Sequence, residues 1–349
     1  MKKMLALLLA LVMVLSLAAC ASSQPATTDA AASTETAETT ETTEPAAEES
    51  AEAPAESGKT YTVGVCQLVQ HEALDAATQG FIDALKEELD DAVTVDVQNA
   101  SGDSVNCGTI VNGFVSKGVD LIMANATPAL TAAVSATADI PILGTSITAY
   151  GVALDIDDFN GTVGGNVSGT SDLADLQAQA QMILDWFPET KTVGLLFCSA
   201  EPNSRYQIDE VRKALEAQGV TCEEFAFTDS NDVSSVTQKA ADFSDVVYIP
   251  TDNTAASNTE AIANVLIPAG VPAICGEEGI CKGCGVATLS ISYYDLGVTT
   301  GKMAAKILKG EADISTMPVE YTDATPKYNA SVCEQLGITP LDGYEAIDG

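Results

Sequence analysis

The feature that most restricts what this chain can fold into is an internal echo. TYTVGVCQLV at Thr60 reads as a short buried strand, QHE as a turn, and ALDAATQGFIDALKEEL as an amphipathic helix. Its apolar positions Ala73, Leu74, Ala77, Phe81 and Leu85 recur at helical spacing on one face. A second copy opens at Thr192, where TVGLLFCS leads through the loop AEPNS into YQIDEVRKALEAQGV. The echo continues: VDLIMANATPALTAAVSA and DIPILGT follow the first unit, SDVVYIPTDNTAASNTEAIA and VPAICGEEG the second. Strand, polar turn, helix and a further strand introduced by Pro141 or Pro272 recur in one order. Alternation of this kind predicts α/β architecture: two similar doubly wound parallel-sheet lobes joined by a hinge.

The ends of the chain carry a different message. Lys2 and Lys3 precede an apolar run from Met4 to Leu15 that is too short for a stop-transfer span, and the run closes on Leu17-Ala18-Ala19-Cys20. That ending resembles the bacterial lipobox, so residues 1–20 are expected to be a signal peptide and Cys20 a lipid anchor. Residues 21–58 hold nine acidic and no basic residues and no large apolar side chain, which predicts a disordered acidic tether. The expected domains are then 59–170 with about 292–316 as the first lobe, and 171–291 with about 317–325 as the second. A C-terminal helix and tail would occupy 326–349.

Net charge of −35 disfavours nucleic acid and anionic surfaces as partners and suits a solvated protein on the outer face of a membrane. Eight cysteines lie beyond Cys20; Cys66, Cys198 and Cys275 sit in strand patterns as small core residues. Cys281 and Cys284 are spaced for a metal or a disulfide, but with no fourth cysteine and His71 far off in sequence, reduced thiols or a local disulfide are preferred and no metal is expected. Trp186 ends an apolar helix pattern and is expected to pack. No GxSxG, HExxH or GxxxxGK[ST] motif occurs, and Gly161–Gly165 reads as a glycine-rich crossover between lobes.

In an open parallel sheet, ligands bind beyond the carboxyl ends of the strands. The candidate loops are Gln67–Glu72, Asn125–Pro128 and Thr145–Thr148, which includes Ser146, and in the second half Ser199–Ser204, Thr251–Thr254 and Gly276–Gly279. Helix N-termini there suit a carboxylate, and Asp252, Glu277 and Glu278 suit a cation, so the set suits a zwitterion. Asp252 follows the apolar strand VVYIP and is expected to hold a ligand's ammonium; helix capping is the open alternative. His71 and Glu72 are either first-turn residues facing solvent or ligand contacts.

Residues 60 to about 338 resemble the tryptophan/tyrosine-type ABC-transporter substrate-binding lipoproteins. The resemblance rests on VGVCQLVQHEALDAATQGFIDAL, VDLIMANATPAL, GNVSGTSD, VVYIPTDNTAAS, GEEG and ISYYDLGVTTGKMAAKILKG. It implies a periplasmic-binding-protein-like fold of type I and a non-enzymatic monomer that needs no cofactor. It also implies an amino acid, commonly aromatic, held between the lobes and passed to permease subunits in the membrane. Carried over, it places Gln67, Thr127, Ser199, Asn203, Ser204, Asp252, Asn253, Glu277, Glu278 and Tyr293 in or beside the cleft. Two segments depart from the family pattern: Cys198-Ser-Ala-Glu-Pro-Asn-Ser204 and Thr145–Leu154 with the extra residues after it. A ligand-sensing lipoprotein, or a binder of a sugar or nucleoside, remains open on the sequence, as does a cleft hydrolase or racemase using Asp252 with Glu277 or Glu278.

Overall fold

The computed structural model describes residues 59–347; the Cys20 anchor and the 21–58 tether lie outside them. The first lobe runs β1 (Tyr61–Gln67), α1 (Glu72–Leu89), β2 (Val93–Asn99), α2 (Ser104–Lys117), β3 (Leu121–Asn125), α3 (Thr127–Ala136), β4 (Ile142–Ile147), α4 (Tyr150–Ala153) and β5 (Val167–Ser171). The second runs α5 (Leu176–Trp186), β6 (Thr192–Cys198), α6 (Pro202–Glu216), β7 (Thr221–Phe227), α7 (Val233–Phe243), β8 (Val246–Ile249), α8 (Asn253–Ala256), α9 (Thr259–Ala269), β9 (Ala273–Cys275), α10 (Glu278–Cys284) and β10 (Ala287–Ser290). The chain then returns with α11 (Tyr293–Lys309) and β11 (Glu320–Tyr321). It ends with β12 (Thr325–Tyr328), α12 (Ala330–Leu336) and β13 (Glu345–Ala346).

The echo in sequence becomes an echo in topology. One sheet is ordered β11-β5-β4-β3-β1-β2 and the other β13-β12-β10-β9-β8-β6-β7. Each therefore contains the doubly wound order in which the second strand lies outside the first, with the switch point between the first and third. In the first sheet Val63, Val65, Leu121 and Met123 meet Phe81 and Leu85 on one face. Cys66, Ile122 and Ala124 meet Phe114 and Leu130 on the other. Covering both faces is why these strands read as continuous apolar runs, each large side chain contributing roughly 1.5–3 kcal/mol.

Four corrections to the sequence reading concern the joints. The second sheet is not wholly parallel, because β12 pairs antiparallel with β10 from Ala287↔Tyr328 to Ser290↔Thr325. Residues 317–325 do not belong to the second lobe as a block. Glu320 and Tyr321 pair with Thr170 and Ser171 in the first sheet, and Val319 is buried in that lobe's core, so the crossing is at 322–324. Two apolar residues in a polar stretch, Met317 and Val319, were too faint a signal for a strand. The 326–349 segment likewise supplies two strands besides its helix, and Tyr344 there meets the Trp186 ring edge-on at 5.1 Å. Gly161–Gly165 is no crossover: Phe159 stacks on Tyr150 at 6.3 Å and Gly161 accepts from Val319 N–H, both inside the first lobe.

Helix α11 returns to lie parallel to α1. The approach is so close that a Cβ on Gly297 would sit 2.0 Å from the Ala77 carbonyl oxygen. Its middle is tied to the sheet by hydroxyls: Thr170 and Thr300 are 2.8 Å apart, and Thr300 donates to Thr145 over 3.2 Å. Tyr293, the first residue of α11, is thereby fixed at the mouth of the first lobe.

Candidate functional site

Between the strand ends of the two lobes lies a narrow, partly open cleft pocket with about 10 Å³ of free volume, room for roughly one water molecule. It sits where the switch points of the two sheets face each other and is far smaller than the roughly 300–1,000 Å³ usual for small-molecule sites, because the lobes are drawn together over it. The first lobe and its crossings line it with His71, Leu74, Ser146, Thr148, Asp172 and Tyr293. The second contributes Asn203, Thr251, Asp252, Asn253, Ala256 and Glu277. Among the described residues, none of these side chains is Lys or Arg. The lobes touch across it: His71 Nε2 lies 3.3 Å from Asn253 Oδ1, and Lys282 Nζ lies 3.3 Å from Glu72.

On the second lobe the acidic groups are already engaged. Asp252 caps α8 by accepting from Ala255 N–H at 2.8 Å through one oxygen, and accepts from Cys198 N–H at 2.6 Å through the other. Glu277 caps α10 by accepting from the Gly279 and Ile280 N–H groups. Glu201 accepts from the backbone N–H and side chain of both Asn253 and Thr254, at 2.7–3.0 Å. Burial pushes the Glu277 carboxyl up to about 7 against those two N–H groups. Burial, and then the nearby Glu201, also raises Asp252.

The first lobe and the crossing leave groups free. Ser146 has φ +56° where β4 slips register against β5 between Gly144 and Ile147. A non-glycine residue in this region costs energy and concentrates at ligand sites. Asp172, at the first crossing, accepts from Tyr293 Oη at 3.0 Å through Oδ2. Burial lifts its carboxyl to about 6, opposed by the hydroxyls of Tyr293 and Thr148. His71 is held below its ordinary value chiefly by burial.

Residues 62–343 match the family model for ABC transporter substrate binding proteins. The chain belongs to that family. Its members bind and present substrates and are not enzymes. This substrate-binding protein is 32% identical over 276 residues to a tyrosine-binding protein of Clostridioides difficile strain R20291, covering 77% of this chain and 79% of that one. It superposes with TM-score 0.78 and 32% identity on an ABC domain in complex with L-Trp from Streptococcus pneumoniae, over 83% of this chain and 100% of that one. Against a ligand-free, open substrate-binding protein with adhesive properties from Clostridium difficile, the TM-score is 0.63 at the same identity, over 83% and 99% of the chains. The lobe arrangement is therefore nearer to that of the tryptophan complex, in keeping with the contacts across the cleft.

The structure of the substrate-binding protein brings together Ser146, Asn203, Asp252, Asn253, Glu277 and Tyr293 from the sequence candidates. It does not bring the others to the cavity. Gln67 is consumed inside the first lobe, accepting from Thr78 Oγ1 at 2.6 Å and donating to Asp75 and Val69. Ser199 is exposed and donates to the Phe227 carbonyl, and Ser204 is fully buried behind Asp252. Thr127 is buried at the start of α3, away from the cavity lining. Glu278 faces the neighbouring surface, accepting from Lys327 Nζ at 2.6 Å and Ser290 Oγ at 3.1 Å. The eight cysteines among the described residues are free thiols, with Cys281 and Cys284 in the second lobe's core. Sequence reasoning missed Asp172. It is the first ionisable residue after β5, the same signal that selected Asp252, but Val167-Ser-Gly-Thr-Ser171 is buried through hydroxyl hydrogen bonds and does not read as a strand.

Proposed function

We propose that this substrate-binding protein captures a free amino acid, with an aromatic side chain as the first candidate, between its lobes. It then presents the ligand to the permease of an ABC importer from the outer face of the membrane, anchored through lipid on Cys20. The observation that carries the ligand class is the cavity between the lobes, lined by buried carboxylates from both sides and by the Asn203 and Asn253 amides from the second, with no lysine or arginine among its described lining residues. A site of that polarity selects for a cationic group, and Tyr293 and Leu74 supply apolar surface beside it. The names of the relatives point the same way, to tyrosine and to L-Trp.

A thermal-shift screen of the twenty amino acids against the full mature chain tests the ligand. A shift by L-tryptophan or L-tyrosine above the rest is expected, and a response only to sugars or nucleosides would overturn the amino-acid reading. For the anchor, Cys20→Ser is expected to release the protein into the medium with unchanged ligand affinity, because Cys20 lies about forty residues ahead of the first strand at Tyr61. Retention of that variant on salt-washed membranes would refute lipidation.

A further inference from the structure

Three buried polar atoms lining the cavity have no hydrogen-bond partner: Ser146 Oγ, Asp172 Oδ1 and Asn203 Oδ1. Their residues are 6%, 5% and 4% exposed. The other unpartnered buried atoms among the described residues, such as Trp186 Nε1 and Thr288 Oγ1, do not line this cavity. The three come from separate parts of the chain, namely the register shift in β4, the crossing after β5, and the first turn of α6. Leaving such a group unpaired in the interior is costly, so three around a single cavity mark a place where a ligand completes the bonding.

The atoms share a chemistry. The orientation of the Asn203 amide follows from its bonding: its nitrogen donates to the Thr251 carbonyl at 3.2 Å and to Glu201 at 3.3 Å, which leaves Oδ1 as an acceptor. Asp172 has one oxygen taken by Tyr293; the Thr148 hydroxyl lies near the carboxyl, but Oδ1 has no partner at hydrogen-bond distance. Ser146 can accept through either lone pair and is held in place by strained backbone. The other carboxylates at the cavity, Asp252 and Glu277, have both oxygens occupied by backbone N–H groups. His71 has its Nε2 on Asn253.

We propose that Asp172, Ser146 and Asn203 together hold a primary ammonium, one N–H to each oxygen, with Asp172 as its counter-charge. This deepens the amino-acid reading and rests on it for the identity of the rest of the ligand. It replaces Asp252, whose oxygens are spent inside the second lobe. Because no lysine or arginine meets a carboxylate in the cavity, the amine dominates recognition. Removing the ligand's carboxylate costs less than removing its ammonium.

Calorimetry on the full mature chain tests this with L-tryptophan, L-tyrosine, tryptamine, tyramine and indole-3-propionate, on wild type and Asp172→Asn. Tryptamine or tyramine should bind within about tenfold of its parent amino acid, whereas indole-3-propionate should lose at least about a hundredfold. Asp172→Asn should weaken the amines at least about thirtyfold. Its empty melting temperature should be unchanged or higher at pH 8, which shows that it folds. Unchanged affinity in Asp172→Asn, or tight binding of indole-3-propionate, overturns the assignment. If neither aromatic amino acid binds but another primary amine from a panel of amino acids and polyamines does, the aromatic reading fails alone. The ammonium site then stands if Asp172→Asn weakens that amine. Binding of no amine overturns it.

Discussion

The two rims of the cleft are built from similar residues and treat them oppositely. On the second lobe, Asp252, Glu277 and Glu201 are buried acids whose oxygens are filled by N–H groups of the same lobe. On the first lobe and its crossing, Ser146 and Asp172 keep an atom unpaired, and Ser146 sits in a strained backbone conformation as well. The second rim spends its acids on holding its own loops in place, with Asn203 Oδ1 left unpaired beside them. The first holds its groups in place by other means, chiefly α11 and the hydroxyl contacts of Thr145, Thr170 and Thr300, and leaves them available. A buried carboxylate at a cleft is thus weak grounds for a ligand contact until its hydrogen bonds are counted.

The largest test of that contrast is Asp252→Ala. It removes the α8 cap, worth about 1 kcal/mol, and strands the Cys198 N–H in the interior, worth a further 1–3 kcal/mol. A loss of about 3 kcal/mol of stability is expected, seen as a fall of several degrees in melting temperature, with ligand affinity changed less than about threefold. Asp252→Asn should fall between, since an amide offers one acceptor where two N–H groups point. A variant that melts like wild type but binds much more weakly would erase the distinction between the rims.

How much of this was legible in the sequence follows from the same contrast. The two lobes were readable because apolar strands covered on both faces leave an unbroken signal, as in Leu121–Asn125 and Val246–Ile249. The positions of the cleft loops followed from strand ends. The roles within them did not, because whether Asp252 or Asp172 is free depends on which N–H groups fold back onto each. Gln67 illustrates the limit: it ends β1 at the right edge of the sheet, yet Thr78 and Asp75 on α1 consume its amide. The β5 strand was invisible because its burial is by hydroxyls, carbonyls and one valine in place of an apolar run, and β11 because its two residues, Glu320 and Tyr321, are both exposed.

A smaller effect, in pH, separates the rims further. The folded pKa of Asp172, about 6, lies above its ordinary 3.8, and that of Glu277, about 7, above 4.5. A group raised in this way binds its proton more tightly folded than unfolded. Its stabilisation is present in full below the ordinary value and is lost as pH rises through the folded one. With Asp252 raised by burial to about 8, the empty closed protein should therefore weaken between about pH 4 and 8, while His71, kept neutral by burial, opposes this on the acid side. Comparing wild type with Asp172→Asn cancels the contributions of His71, Glu277 and Asp252 and isolates one carboxyl. The variant should gain about 2–4 °C relative to wild type on going from pH 5 to pH 8, less than the full shift implies because opening the cleft rehydrates the acid. Saturating amine should flatten the Asp172 part of the profile, since an ammonium stabilises the carboxylate, and leave the Glu277 part near pH 7 in place. Melting curves across pH, with and without ligand, decide it. Identical profiles for wild type and Asp172→Asn would mean that the first rim is as internally satisfied as the second.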